Sequence, residues 1–123
     1  MPDLSSIFGP AGCLAEAIPA FTHRPQQQAM AERVAAIVAC GGVLVCEAGT
    51  GTGKTFAYLV PAMLSVRKVI VSTATRHLQD QLFRHDLPLI RDALQIPLTA
   101  PCSRGGAIIF AATVCNWRSP NSP

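Results

Sequence analysis

The run Glu47-Ala48-Gly49-Thr50-Gly51-Thr52-Gly53-Lys54-Thr55, entered from Val43-Leu44-Val45-Cys46, constrains the fold more than any other feature of the chain. The apolar residues predict a buried strand, the glycines a tight turn, and the residues after Lys54 a helix. Three glycines at alternate positions let the main chain curl so that successive N–H groups point inward at an anion. The following helix offers its free N–H groups and positive dipole end to that same anion. Lys54 then reaches the outer phosphates of a nucleoside triphosphate, and the Thr55 hydroxyl is placed to ligate Mg²⁺. Ala48, Gly49, Thr50, Gly51, Thr52, Gly53, Lys54 and Thr55 are therefore the candidate ATP-binding loop, with Lys54 and Thr55 as its catalytic pair.

At 123 residues the chain has room for one domain. Half of its residues are apolar and 14% are charged, which suits a packed core and argues against wholesale disorder. A net charge of +3 permits a nucleic-acid partner without arguing for one, because a basic patch must be local to matter. The beginning, Met1-Pro2-Asp3-Leu4, lacks the pattern of a signal peptide, and no apolar run reaches the roughly 18 residues of a membrane span. Five widely spaced cysteines without a C-x-x-C fit a cytoplasmic chain with reduced thiols.

Along the chain, residues 1–24 read as a Pro- and Gly-punctuated extension with a short helix around Leu14–Ile18. Arg24-Pro25-Gln26-Gln27 opens a helix in which Met30, Val34, Ile37 and Val38 recur at helical spacing, and Gly41-Gly42 ends it. Gln27 is either a solvated glutamine or one whose amide reads a base edge, since it offers both a donor and an acceptor. After the glycine loop, Phe56 to Val66 predicts a helix with Phe56, Leu59, Val60 and Met63 inward and, at Pro61, a kink or the start of a second segment. Lys68–Thr73 predicts a second buried strand, which completes a parallel βαβ unit with a right-handed crossover. At its carboxyl end stand Ser72, Thr73 and Thr75, followed by a helix carrying Gln81. Those hydroxyls suit a phosphodiester backbone and suit an ordinary helix cap equally well. His77 and His85 lack a metal-ligand pattern and read as surface histidines, and Asp86-Leu87-Pro88 reads as a helix break.

Together these blocks resemble the DinG/YoaA helicases, the bacterial relatives of XPD within helicase superfamily two. The resemblance rests on Phe8-x-Pro10-x-Gly12-x-Leu14-Ala15, on Ala17-Ile18-Pro19-x-Phe21, and on R-x-x-Q-x-x-M at Arg24, Gln27 and Met30. It rests also on Glu47–Thr55 and on Leu78-Gln79-Asp80-Gln81-Leu82 with Asp86-Leu87-Pro88. Ala48 stands where the general phosphate-loop pattern has glycine, a form many helicases share. The resemblance implies an α/β fold, a partial RecA-like P-loop ATPase domain over 25–100 with a parallel core. It implies ATP and Mg²⁺ as cofactors, 5′→3′ movement on single-stranded DNA, and a 4Fe–4S cluster in the intact family but not in this chain. By the same resemblance Gln27, with Arg24 beside it, is the adenine-sensing residue. Ser72, Thr73, Thr75 and Gln81 belong to the first single-strand motif.

Beyond Ala100 the pattern stops. Residues 101–123 do not carry the K-G-R-x-N-Y-L-C segment that the resemblance implies. A GC-rich back-translation of Pro101–Arg118, read from its third base, gives L-L-K-G-R-G-N-Y-L-C-R-H-R. The expectation is that 101–123 is a poorly ordered out-of-frame tail ending at a premature stop, so Cys102 and Cys115 are not cluster ligands. The alternative is a natural strand, Ala107–Cys115, completing the sheet. No D-E-x-H string occurs in the chain, so hydrolysis and unwinding by this polypeptide alone are not expected. Two other functions stay open: a non-catalytic nucleotide-binding remnant, and a small P-loop kinase or NTPase.

Overall fold

The computed structural model describes residues 3–49, 53–65, 67–96, 98–99 and 107–112, the last two segments by their backbone. Two short helices, α1 (Ser5–Phe8) and α2 (Cys13–Ala17), precede the long α3 (Pro25–Cys40). Pro25 opens α3 where a missing N–H costs nothing, and Gly41, at φ 80°, ends it in a conformation that favours glycine. Next come α4 (Lys54–Leu64), β1 (Lys68–Ser72), α5 (Arg76–Gln81), a π-helical turn over Leu82–Asp86, and α6 (Leu87–Leu94). Strands β2 (Leu98–Thr99) and β3 (Ala107–Ala112) follow.

The core is built around α4. Ala57, Leu59, Val60 and Met63 are fully buried, with Ile7, Phe8 and Leu14 from α1 and α2 and Leu87, Ile90 and Leu94 from α6. Phe56, expected inward, is only half-buried and packs against that core from its edge. Pro61 sits inside α4 and the helix continues through it to Leu64, so no second segment starts there. Leu82, Leu87 and Ile90 are buried as expected, whereas Leu78 is half exposed. The break expected at Asp86–Pro88 is a change of helix type, with Pro88 in the first turn of α6.

Two expectations are overturned. Val43–Cys46 is not a buried strand: it has no regular secondary structure, and Val43 and Val45 are 87% and 91% exposed. Nor is the sheet parallel. Its order is β1-β3-β2, and β3 is antiparallel to both neighbours, with Ile70 opposite Ile109. The physical reason lies in burial. Parallel sheets persist where both faces are covered, whereas β1 alternates, with Lys68, Ile70 and Ser72 exposed and Val69 and Val71 half-buried. A one-sided strand pairs antiparallel more readily, with stronger pairing per residue.

The same shortage of cover shows on α3. Its small residues Ala31 and Ala35, with Gln27, form the face buried in the chain interior. The larger Met30, Val34, Ile37 and Val38 are only half-buried. They line a hollow of about 370 Å³ with Leu44, Cys46 and Tyr58. Part of the segment expected to be an out-of-frame tail, Ala107–Ala112, is strand β3. Residues 100–106 and 113–123, including Cys102 and Cys115, lie outside the described residues.

Candidate nucleotide and nucleic-acid sites

Gly53 enters α4 at φ 75° and ψ 37°, the left-handed region, and no side chain caps the helix. The first N–H groups of α4 are thus presented beside a turn that a Cβ would disfavour. Thr50, Gly51 and Thr52 lie outside the described residues. On the near side of the loop, exposed Lys54 donates from Nζ to the Ala48 carbonyl at 2.8 Å. The lysine therefore folds back over its own loop, where a competing anion would have to draw it off. Thr55 is half-buried, and its side chain is hydrogen-bonded to Tyr58 one helical turn on. Burial pushes the Tyr58 phenol above its ordinary range, the bond with Thr55 lowers it, and Asp86 raises it. Thr55 would have to share its hydroxyl between Tyr58 and a magnesium ion, which its two lone pairs allow.

Gln27 is 4% exposed and reaches across from α3 to this turn. Its Nε2 donates to the Gly53 carbonyl at 3.0 Å, while Oε1 is buried without a hydrogen-bond partner. The two residues, 26 positions apart in sequence, meet because α3 packs on α4 through its small-residue face. A slot of about 260 Å³ opens here, lined by Ile18, Phe21, Arg24, Gln27, Phe56 and His85 among others. The N-terminal extension contributes its wall, and His23 Nδ1 lies 2.8 Å from the Phe8 carbonyl, tying α1 to the start of α3. A second hollow of about 510 Å³ runs between α3 and Val45–Gly49, with Gln26, Arg33 and Glu47 on its lining.

The structure therefore brings Arg24, Gln27 and Gly53 to one slot and keeps Ala48, Lys54 and Thr55 close by in the loop. Phe21, Phe56 and His85 line the same slot, although the sequence reading gave none of them a place in the site and took His85 for a surface histidine. Nothing in their spacing marks them, because they come from three separate elements.

Beyond β1, Ser72 is exposed, and Thr73 donates from Oγ1 to the Thr75 carbonyl at 3.2 Å. Thr75 Oγ1 accepts from the Leu78 N–H at 3.2 Å and so caps α5. The cap is made in the structure; it uses one lone pair of Thr75 and leaves the hydroxyl exposed. Gln81 is also exposed, at the end of α5.

With this geometry in view, comparison with known proteins defines the class. The model of the DEAD/DEAH box helicase family matches residues 24–106, and the chain belongs to that family. The match takes in the Gln27 block, the glycine loop and the β1–α5 junction. Among individual proteins, the chain is 52% identical over 88 residues to the ATP-dependent DNA helicase YoaA of Escherichia coli K12. That similarity covers 72% of this chain and 14% of the relative. It is 48% identical over 91 residues to the protein of the same name from Haemophilus influenzae, covering 74% and 14%. With the ATP-dependent helicase DinG of Mycobacterium tuberculosis H37Rv it shares 51% over 77 residues, covering 59% and 12%. The matched part of the chain thus spans about one-seventh of the length of the YoaA relatives. No solved structure matches it. Among the described residues no helix is long and apolar enough to cross a membrane, and no cluster of three or more His, Cys, Asp or Glu is arranged to hold a metal ion.

Proposed function

We propose that this chain carries the ATP-recognition part of an ATP-dependent DNA helicase of the DinG/YoaA type, moving 5′→3′ on single-stranded DNA in its complete form. The observation that carries this reading is the Gln27–Gly53 contact. A buried amide with an unpartnered oxygen lies against Gly53, where the phosphate loop enters α4, so base and phosphate recognition would adjoin. Gln27 and Arg24 would hold the adenine in the slot, and Ala48, Gly49, Gly53, Lys54 and Thr55 would hold the phosphates. When bound, ATP with Mg²⁺ supplies the transferable phosphoryl group. Lys54, released from the Ala48 carbonyl, would neutralise phosphate charge, and the Thr55 hydroxyl would be a ligand for Mg²⁺. Ser72, Thr73 and Thr75 after β1, with Gln81 at the end of α5, support a single-strand path through polar groups that would position a phosphate backbone without reading sequence.

The chain contains no D-E-x-H string to hold the metal and position water. It binds ATP on this reading but does not turn it over unaided. Residues 101–123 are proposed to be translated out of frame, and sequencing the locus tests that directly. A shifted frame encoding K-G-R-x-N-Y-L-C is expected, and its absence from every frame would end the idea. For the site, titration of the chain with a fluorescent ATP analogue is expected to show weak binding, lost in Lys54→Ala. Binding that persists in Lys54→Ala refutes the assignment of the loop. DNA-stimulated phosphate release by the purified chain, abolished by that same change, refutes the assignment of inactivity.

A further inference from the structure

Strand β1 lies at the edge of the sheet. Its one neighbour is β3, so among the described residues the other edge of β1 has no strand against it. Nor does a main-chain hydrogen bond from any described turn or loop reach Lys68–Ser72. Lys68, Ile70 and Ser72 are exposed, in keeping with an uncovered edge. Such an edge presents a row of N–H and C=O groups and is a template for another strand. Proteins commonly blunt it with charge, proline or a bulge. Along β1 the only charge is Lys68, at the first position, and there is no proline.

The side chains of β1 say what fits there. Laid antiparallel against itself about a two-fold at Ile70, the strand overlaps along all five of its residues. Val69 then stands opposite Val71 of the second copy, Ile70 opposite Ile70, and Lys68 opposite Ser72. Val69 and Val71 pack against the core on one face, while Ile70 is 66% exposed on the other. Each apolar residue therefore meets an apolar one on its own face, and β-branched cross-strand pairs favour association. The charges agree with this alignment. Exposed Arg67 and Lys68 of the two copies fall at opposite ends of the pair. The lysines are then about 13 Å apart along the strands, more than a Debye length at physiological salt. A parallel alignment would set them side by side.

We propose that this chain forms a two-fold dimer in which β1 pairs antiparallel with β1 of a second copy, in register at Ile70, joining the two three-stranded sheets. The two-fold uses the same edge twice and leaves neither β1 open. The dimer is independent of the nucleotide reading, since no residue of the phosphate loop or of the slot lies in β1.

The test is sedimentation equilibrium of the full chain over a range of concentrations, with a thermal melt of each variant. A monomer–dimer equilibrium is expected. Ile70→Lys sets two like charges directly opposite each other and should weaken the dimer about tenfold or more. Ile70→Thr, β-branched and uncharged, should stay within about threefold. Ile70 is mostly exposed, so both variants should fold, which the melts verify. The register is read by cross-linking with oxidised glutathione in a chain whose five cysteines are replaced by serine. In that chain Ile70→Cys should give a disulfide-linked dimer and Lys68→Cys alone should not, whereas Lys68→Cys mixed with Ser72→Cys should. A chain that stays monomeric at every concentration overturns the proposal. So does an assembly that Ile70→Lys leaves unchanged, or one in which folded Ile70→Cys fails to cross-link.

Discussion

Gly53 meets two demands at once, a left-handed backbone and the Gln27 amide lying where a Cβ would project. Gly53→Ala should therefore cost about 1–2 kcal/mol from its φ alone and more from displacing Gln27. Chemical denaturation should read that loss, and ATP titration should show binding lost with it. Gln27 poses the opposite case, since its buried, unpartnered Oε1 works against the fold. Gln27→Met, similar in shape, should keep stability within about 1 kcal/mol of the unaltered chain while weakening ATP by up to about tenfold. Comparing denaturation midpoints with nucleotide titrations checks both halves. Tyr58 governs an alkaline limit. Its phenol is raised in the folded chain chiefly by burial, so the fold holds its proton more tightly than the unfolded chain does. That contribution is fully present below the ordinary tyrosine range near pH 10 and is lost as pH rises through the folded value. Melting temperature should accordingly fall above about pH 10, and Tyr58→Phe should flatten that limb.

Elements divide into those held by the core and those held by their own ends. Helix α4 is of the first kind, with Met63 fully buried among α4's neighbours. Met63→Ala should cost about 2–5 kcal/mol, a large share of what a small domain has, and should broaden or abolish cooperative melting. Helix α5, six residues long with Gln79 buried, depends more on the Thr75 cap. Thr75→Asp separates the two roles considered for this hydroxyl. Aspartate caps as well as threonine does, so stability should hold within about 0.5 kcal/mol. If the residue also lies on the single-strand path, its negative charge should weaken oligonucleotide binding, as fluorescence anisotropy would record. Most of these elements were legible in sequence. Helices α3 and α4 carry apolar residues at helical spacing, with Pro25 and Gly41-Gly42 marking the ends of α3. Which face of α3 goes inward was not legible, because the larger apolar stripe predicts the wrong one. Packing against α4 selects the small residues Ala31 and Ala35, since close helix approach needs short side chains.

At the scale of the whole molecule, the chain leaves apolar surface uncovered. Val43, Val45 and Ile70 are exposed, and the Met30–Val38 face of α3 is only partly covered. Exposed apolar groups of this kind promote association. Val43→Lys with Val45→Lys should shift sedimentation toward the monomer at equal concentration, without changing the melting temperature by more than a few degrees. A mass distribution indifferent to the substitutions would show that the segment takes no part.

The amino-acid sequence by itself determined the local chemistry: a glycine loop before Lys54-Thr55, a glutamine at the start of α3, hydroxyls after β1. Those follow from residue type and short spacing, which backbone geometry makes decisive within a few residues. Strand pairing was different. Whether Val43–Cys46 is buried, and whether β1 pairs parallel or antiparallel, depends on what else is present to cover both faces of a sheet. Only the tertiary structure decided those, and it set Val43–Cys46 outside the sheet. It also decided the slot, where Gln27, Gly53, Phe21, Phe56 and His85 meet from separate stretches of chain. Hydrogen-bond satisfaction there is a property of the folded assembly, and no spacing along the chain encodes it.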